Sequence, residues 1–281
     1  MDSIRFTKAQ GAGNDFLIVE GSIDLLPTPA SKQLFCDRHY GAGGDGVIFL
    51  TVPGNTTEVD ASLRIFNSDG SEAEISGNGT RCAAAYLLHK SGRDRDLTVQ
   101  TMAGVKKLKL TAHKGTEFTF EMHMGKPIFD AHSIPFRPPQ SVGEPVIGYE
   151  LPLSSGPRKA TITSMGNPHC SIAVDNFDWN WLDCGREIER HPYFPNRTNI
   201  EFYRPVSMHA IEVRYWERGV GETNSSGTGS SAAAVAAILN GHAKSPVEVR
   251  TLAGALPVRW EADGVYLTGP AEIVFQGEYL I

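Results

Sequence analysis

Glu72-Ala73-Glu74-Ile75-Ser76-Gly77-Asn78-Gly79-Thr80 has a counterpart 150 residues later, Glu222-Thr223-Asn224-Ser225-Ser226-Gly227-Thr228-Gly229-Ser230. The register holds without a gap from Arg64/Arg214 to Gly104/Gly254, through Glu72/Glu222, Ala83/Ala233, Ala84/Ala234, Thr101/Thr251 and Ala103/Ala253. Each copy is a Ser-Gly-X-Gly turn that opens an alanine-rich apolar stretch. A helix N-terminus carries unpaired N–H groups and a partial positive charge, so it receives carboxylate or phosphate. One such turn is a weak signal, because serine caps are common. Two in register point to a pair of helix starts aimed at one anion, a pocket able to address both faces of a stereocentre.

Weaker matches extend the repeat. Gly13-Asn14-Asp15 resembles Gly166-Asn167-Pro168, and Asp37-Arg38-His39 resembles Glu189-Arg190-His191, at offsets of 153 and 152 residues. Short β-branched runs fill the rest of the first half, at 16–19, 47–52, 62–66, 97–101, 107–110 and 118–122. Those of the second half lie at 160–163, 171–174, 199–202, 210–216, 247–251 and 264–268. Gly, Pro, Asn or Asp clusters separate them, as in a strand-rich fold. One strongly helical segment stands in each half, over 79–90 and 229–240, closed by Ser91-Gly92 and by Gly241. Both are apolar nearly all round, which predicts helices enclosed by strands rather than lying on them. The Pro-rich stretch 128–145 reads as an exposed connection. The expected architecture is a layer of strands wrapped around one central helix, occurring twice. The halves run over 1–122, with 270–281 returning to it, and 123–269.

Composition narrows the function. A net charge of −6 argues against nucleic acid or an anionic membrane as partner. The opening Met1-Asp2-Ser3-Ile4-Arg5-Phe6-Thr7 has no apolar leader, and no stretch approaches a membrane span. Cys36, Cys82, Cys170 and Cys184 are widely spaced without a CxxC pair, as suits reduced thiols in a cytoplasm. The nine histidines show no HExxH or HxH spacing, so no metal set is expected. Neither GxGxxG nor GxxxxGK[ST] occurs, and no dinucleotide or ATP is implied.

Several polar residues flank the two turns. Glu217 and Arg218 suit an amino group and a carboxylate, or equally a surface ion pair. Asn14, Asn67, Asn167 and Asn199 lie near glycine or proline turns, where asparagine is usually structural. His169 either orients a ligand or packs.

As an ordered set the motifs resemble one family. Gly11-Ala12-Gly13-Asn14-Asp15-Phe16, Asp37-Arg38-His39, Asn67-Ser68-Asp69-Gly70-Ser71, Gly77-Asn78-Gly79-Thr80-Arg81-Cys82, Gly166-Asn167-Pro168-His169, Asn199, Glu217-Arg218-Gly219 and Gly221-Glu222-Thr223 are similar to those of diaminopimelate epimerases. The resemblance runs over essentially the whole chain. It implies an α+β fold of two pseudo-symmetric halves, each a β-barrel-like sheet around a central helix, with the active site in the cleft between them. It also implies a cofactor-independent isomerase, interconverting LL- and meso-2,6-diaminopimelate for lysine and cell-wall peptide synthesis. A cytoplasmic homodimer is expected. Carried over by motif, Asn14, Asn67, Asn167, Asn199, Glu217 and Arg218 would bind the substrate's amino and carboxylate groups. Gly77, Asn78, Gly227 and Thr228 would line the anion-binding helix ends, and His169 and Glu217 would support catalysis.

One departure stands out. The family's acid–base pair is two cysteines, one before each Gly-X-Gly, whereas this chain has Ser76 and Ser226 there. A thiol titrates near 8.5, and a helix N-terminus lowers it further, so a resting thiolate is within reach. A serine hydroxyl is a far weaker acid and needs an adjacent base such as His169 or Glu222. Epimerisation by the family's route is therefore expected to be severely impaired or absent. The alternatives are an isomerase or dehydratase of the same fold on another amino or hydroxy acid, and a non-catalytic amino-acid-binding protein. Phe275 stands where some relatives place a dimer-interface tyrosine.

Overall fold

The computed structural model describes residues 3–53 and 58–281. Met1 and Asp2, the first two residues of the stretch read for a leader, lie outside them. The chain forms two compact units, residues 1–123 with 268–281, and residues 124–267.

In the first unit the order is β1 Ser3–Gly11, β2 Asn14–Glu20, α1 Pro29–Cys36, β3 Gly46–Thr51, β4 Ala61–Asn67, β5 Glu72–Ala73, α2 Gly77–Ser91, β6 Leu97–Thr101, β7 Gly104–Lys114 and β8 Glu117–Gly125. Seven of these strands and one from the end of the chain close a ring: β1 pairs β2, then β3, β4, β6, β7, β8 and finally the C-terminal strand, β17 Gly264–Leu280, which returns to β1. β2–β3 and β4–β6 are parallel, and the β1–β2, β3–β4, β6–β7, β7–β8 and β1–β17 pairs are antiparallel. α2 touches β1, β2, β3, β4 and β6, and Ala83, Ala84 and Ala85 are fully buried. The alanines explain this enclosure: a helix inside an eight-strand barrel has room only for short side chains.

The second unit continues with β9 Val146–Leu151, β10 Arg158–Ser164, β11 Pro168–Ala173, α3 Trp181–Glu189, β12 Asn199–Ser207, β13 Ala210–Glu217, β14 Gly221–Thr223, α4 Gly227–Leu239, β15 Val247–Thr251 and β16 Gly254–Glu261. Pairing runs from β9 through β10, β11, β12, β13, β15 and β16 to β17. Counted from β10, the parallel pairs are again the second and the fourth, β11–β12 and β13–β15. α4 is the buried helix here, with Ala232 to Ala237 wholly enclosed.

Both buried helices start two residues earlier than the sequence reading placed them, at Gly77 and Gly227, so that Ser76 and Ser226 are themselves the N-caps. Glycine's poor helix propensity argued for a turn at those positions, and the enclosing barrel overrides it. Gly92, in left-handed geometry, and Gly241, just past the Asn240 cap, end the helices as expected.

Two further helices escaped the sequence reading. α1 has a Thr28/Ser31 capping box with Pro29 in its first turn, and α3 is capped by Asn180. They end at Asp37 and Arg190, so the weaker repeat marks the C-terminal ends of two outer helices. The strands β1, β9 and β16 were also unread. The segment 128–145 is not an exposed connection: Ala131, Ile134 and Phe136 are buried in the second unit's core with Ile162, Ile172, Phe202 and Ile188 of α3. Asp130 makes this possible by accepting from the His132 and Ser133 N–H groups, which turns the chain inward.

The enclosure of α2 has a measurable consequence. Ala84→Leu is expected to cost about 1–3 kcal/mol, because the barrel wall has no space for three more carbons. A lowered urea midpoint at unchanged slope would show it. A midpoint equal to the parent's would mean that the helix is not enclosed.

Candidate active site

In the first unit the site grows from the start of α2. Ser76 is extended, with φ −130° and ψ 118°, and its Oγ accepts from the Gly79 N–H at 3.1 Å. A Cβ at Gly79 would stand 3.2 Å from Ile48 Cδ1 and 3.3 Å from Phe16 Cζ, so glycine lets the first turn sit tight against the strands. Gly77 and Asn78 are buried beside it. Asn78 Nδ2 donates to Asn14 Oδ1 at 3.4 Å, and Asn14 Nδ2 donates to Asp45 Oδ2 at 2.8 Å. Asn14 follows Gly13, whose φ of 76° turns the chain from β1 into β2. Asn67 ends β4 and donates to Ser71 Oγ at 3.0 Å. Behind the asparagines, Arg38 grips Asp15 through both terminal nitrogens at 2.9 and 2.6 Å and also reaches Asp45 at 2.8 Å. Lys8 adds a further ion pair to Asp15 at 2.8 Å.

The second unit repeats the cap and changes its surroundings. Ser226 Oγ accepts from the Gly229 N–H at 3.2 Å, with φ −139° and ψ 126°. Thr228 stands at the place of Asn78, and its Oγ1 lies 3.5 Å from Asn167 Nδ2. Asn167 Oδ1 is 2.8 Å from His169 Nε2, and His169 Nδ1 is 2.6 Å from Glu201 Oε1. Ser171 Oγ donates to the other Glu201 oxygen at 3.0 Å. His169 and Glu201 are both out of solvent, so each relies on these bonds for its polar atoms.

Around Glu217 and Arg218 the backbone is pinned at two N–H groups and the Glu217 carboxylate is held beside them. Asn199 Oδ1 accepts from the Arg218 N–H at 2.9 Å, while its Nδ2 donates to the Pro168 carbonyl at 2.9 Å. Glu189, buried at the end of α3, accepts from the Gly219 N–H at 3.0 Å and from Trp216 Nε1 at 2.9 Å. Thr223 Oγ1 donates to Glu217 Oε1 at 2.6 Å. Glu222, on the exposed side of β14, is paired in register with Trp216.

The structure therefore sorts the residues picked from sequence. Within the first unit Asn14, Asn78 and Gly77 gather at the Ser76 cap. Within the second, Asn167, Thr228 and Gly227 gather at Ser226. Asn199 was expected to meet substrate, but its amide is engaged by the main chain of Arg218 and Pro168. Four residues were given no site role from sequence: Asp45, Arg81, Glu189 and Glu201, of which Arg81 and Glu189 stood only as members of motifs. Glu201 had a visible signal, a lone carboxylate inside the apolar run Asn199-Ile200-Glu201-Phe202-Tyr203.

Charge in the site is uneven. Burial alone would raise the Asp15 carboxyl, but the bonds from Arg38 and Lys8 outweigh it and hold the acid far below the usual carboxylate range. Burial pushes the Cys36 and Cys82 thiols up to about 12 and Cys184 up to about 11, and it raises Cys170 well above a free thiol. All four cysteines are buried and reduced, so none supplies a thiolate in place of the serines.

Residues 6–129 and 161–274 match the diaminopimelate epimerase family. A diaminopimelate epimerase of Pelotomaculum thermopropionicum is 42% identical over 282 residues, covering 98% of this chain and 99% of that protein. The chain belongs to the diaminopimelate epimerase family. A second such relative, from Halothermothrix orenii, is 40% identical and covers 99% of this chain and 98% of its own length. Membership in the diaminopimelate epimerase family makes the chain an epimerase-type isomerase. The fold is wider than the family. A hydroxyproline epimerase from Agrobacterium vitis, solved with trans-4-hydroxy-L-proline, superposes with a TM-score of 0.72 at 15% identity, covering 98% of this chain and 92% of that one. A predicted epimerase from Pseudomonas aeruginosa gives 0.68 at 19% identity over 99% of both chains.

Two outcomes are expected from this geometry. Ser226→Ala removes the acceptor for Gly229 and should cost about 0.5–2 kcal/mol in chemical denaturation, with Ser226→Gly costing only a few tenths. An Ala variant as stable as the parent would show that the cap bond contributes nothing. Asp15, whose acidity is strengthened on folding, contributes stability in full above the unfolded carboxyl value of about 3.9. That contribution is lost as pH falls from there towards the folded value. Unfolding free energy should decline as pH is lowered below about 5, and Asp15→Asn should flatten the decline. An unaltered slope in that variant would assign the acid sensitivity elsewhere.

Proposed function

We propose that this chain binds 2,6-diaminopimelate and interconverts its LL and meso forms by cofactor-independent proton transfer at the α-carbon. The reaction would serve lysine and cell-wall peptide synthesis in the cytoplasm. The observation that carries the reading is the matched pair of serine-capped, buried helix starts, set in a chain of this family. Epimerisation needs one group to take a proton and another to return it, and Ser76 and Ser226 are the pair we assign. The N–H groups of Gly77, Asn78, Gly227 and Thr228 suit a carboxylate and the negative charge that develops when the proton leaves. Glu217 is matched to the ammonium group and Arg218 to a carboxylate. Asn14, Asn67 and Asn167 offer amide edges to the same groups. Asn199 acts through Arg218, whose backbone it holds, and His169 acts through Asn167.

Serine changes the rate rather than the ligand. Each cap oxygen sits 3.1 or 3.2 Å from a helix amide, where a thiolate would be stabilised. A hydroxyl in that place stays protonated at neutral pH. His169 has both ring nitrogens taken by Glu201 and Asn167, so it serves neither serine as base. We further infer that the two units arose by internal duplication, that the protein works as a homodimer, and that its partners are small amino acids rather than nucleic acid.

The test is proton NMR of LL-diaminopimelate in deuterated water, with the parent chain beside a Ser76→Cys, Ser226→Cys double variant. The double variant should wash out the α-proton about 10²–10⁴ times faster than the parent. Rapid exchange by the parent would mean that another base serves the serines. Exchange by neither would overturn the substrate, in favour of a same-fold isomerase or dehydratase on another acid, or of a binding protein.

A further inference from the structure

Arg81 heads the fully buried side chains by volume, and it carries a charge. Its Nη2 donates to Asn78 Oδ1 at 2.5 Å and its Nε to the Pro270 carbonyl at 3.1 Å, while Nη1 is buried with no partner. Among the described residues it forms no ion pair with a carboxylate. A Cβ at Gly269 would stand 2.8 Å from the guanidinium carbon, and one at Gly11 would stand 3.0 Å from the Pro270 oxygen. Two glycines thus clear the space in which the guanidinium lies flat. Burial disfavours the charged guanidinium and lowers its pKa to about 10. An apolar side chain would fill such a space at less cost than an unpaired cation.

The neighbours explain the charge. Arg81 can only donate and the Asp45 carboxylate can only accept, and between them stand two amides that each could face either way. With Arg81 donating to Asn78 Oδ1, Asn78 must present Nδ2 to Asn14 Oδ1, and Asn14 must present Nδ2 to Asp45. The reverse sense would set N–H against N–H at one end and oxygen against oxygen at the other.

We propose that Arg81 is a positioning residue: it gives the Asn78–Asn14–Asp45 chain a single sense and so decides which edge of each amide meets the substrate. The ligand-binding part of this rests on the diaminopimelate reading, and the orientation part does not. An amide edge of known polarity separates a carboxylate from an ammonium group, so Arg81 selects how an amino acid is oriented without touching it.

The experiment uses the full chain labelled with ¹⁵N-asparagine, free of ligand, as parent, Arg81→Gln, Arg81→Lys and Asp45→Asn. The parent should give one set of side-chain amide signals for Asn14 and Asn78. Arg81→Gln, which can both donate and accept, should give two sets or one averaged set. Arg81→Lys, again a donor only, should restore the parent pattern. Asp45→Asn should scramble the chain from its other end. Diaminopimelate affinity, measured by calorimetry, should fall about tenfold or more in Arg81→Gln and Asp45→Asn and should largely hold in Arg81→Lys. Unchanged amide signals in Arg81→Gln and Asp45→Asn would overturn the proposal, as would scrambled signals with unchanged affinity. Should Arg81→Gln fail to fold, Asp45→Asn decides alone, since the Asp45 side chain is 40% exposed. A parent that does not bind diaminopimelate would sink the substrate reading, while the amide spectra still decide the orientation.

Discussion

A helix enclosed by strands has a problem at its first turn: four N–H groups lack partners, and water is not at hand to supply them. In each unit this chain solves part of the problem with a serine hydroxyl and leaves the remaining donors grouped at the end of the helix. That arrangement dictates much else. The first turn must lie close to the strands, hence glycine at 79 and 229; the helix body must be thin, hence the alanines. The residues that meet the Asn78 and Thr228 side chains at the two starts come from the turn after Gly13 in the first unit and after Gly166 in the second. An enclosed helix start is costly to satisfy with protein groups alone, and a bound anion satisfies it at once.

Around the two starts the supporting chemistry differs, although the backbones follow the same order. Asn14 is tied to a carboxylate that is itself held by Arg38, and Asn78 to a buried guanidinium. Asn167 is tied to an imidazole backed by Glu201, and Thr228 replaces the second amide. The same order of strands and helices thus carries unlike side chains in the two units. Glu189 and Asn199 add a level behind this one. Each holds a main-chain N–H of the 217–219 turn, so they set where two charged side chains begin rather than what those side chains meet.

Much of the fold was legible because it is written in patterns local to the chain. Twelve runs rich in β-branched residues and two alanine helices were visible, and the repeat paired them. What stayed hidden depended on packing. β1, with Thr7 and Lys8 at its centre, does not look like a barrel strand until β2 and β17 cover it. The prolines around Phe136 looked like those of an exposed loop, yet Phe136 sits in a cluster with Tyr149, Tyr193 and Phe194. The candidate site divided along the same line. Motif spacing found the residues at the helix starts. It could not find Arg81, Asp45, Glu189 or Glu201, because a charged residue shows a role of this kind only once its burial and its partners are known.

β17 gives the molecule a temporal constraint. Its first residues pair with β16 in the second unit, and its later ones close the ring of the first by pairing with β1. The amino-terminal barrel therefore lacks one of its staves until residues 268–280 leave the ribosome. For most of synthesis β1 has an unpaired edge, of the kind that invites pairing with other chains. On the growing chain the closing pairing of the second unit, with residues 264–267, becomes available before that of the first, which is made earlier and completed last.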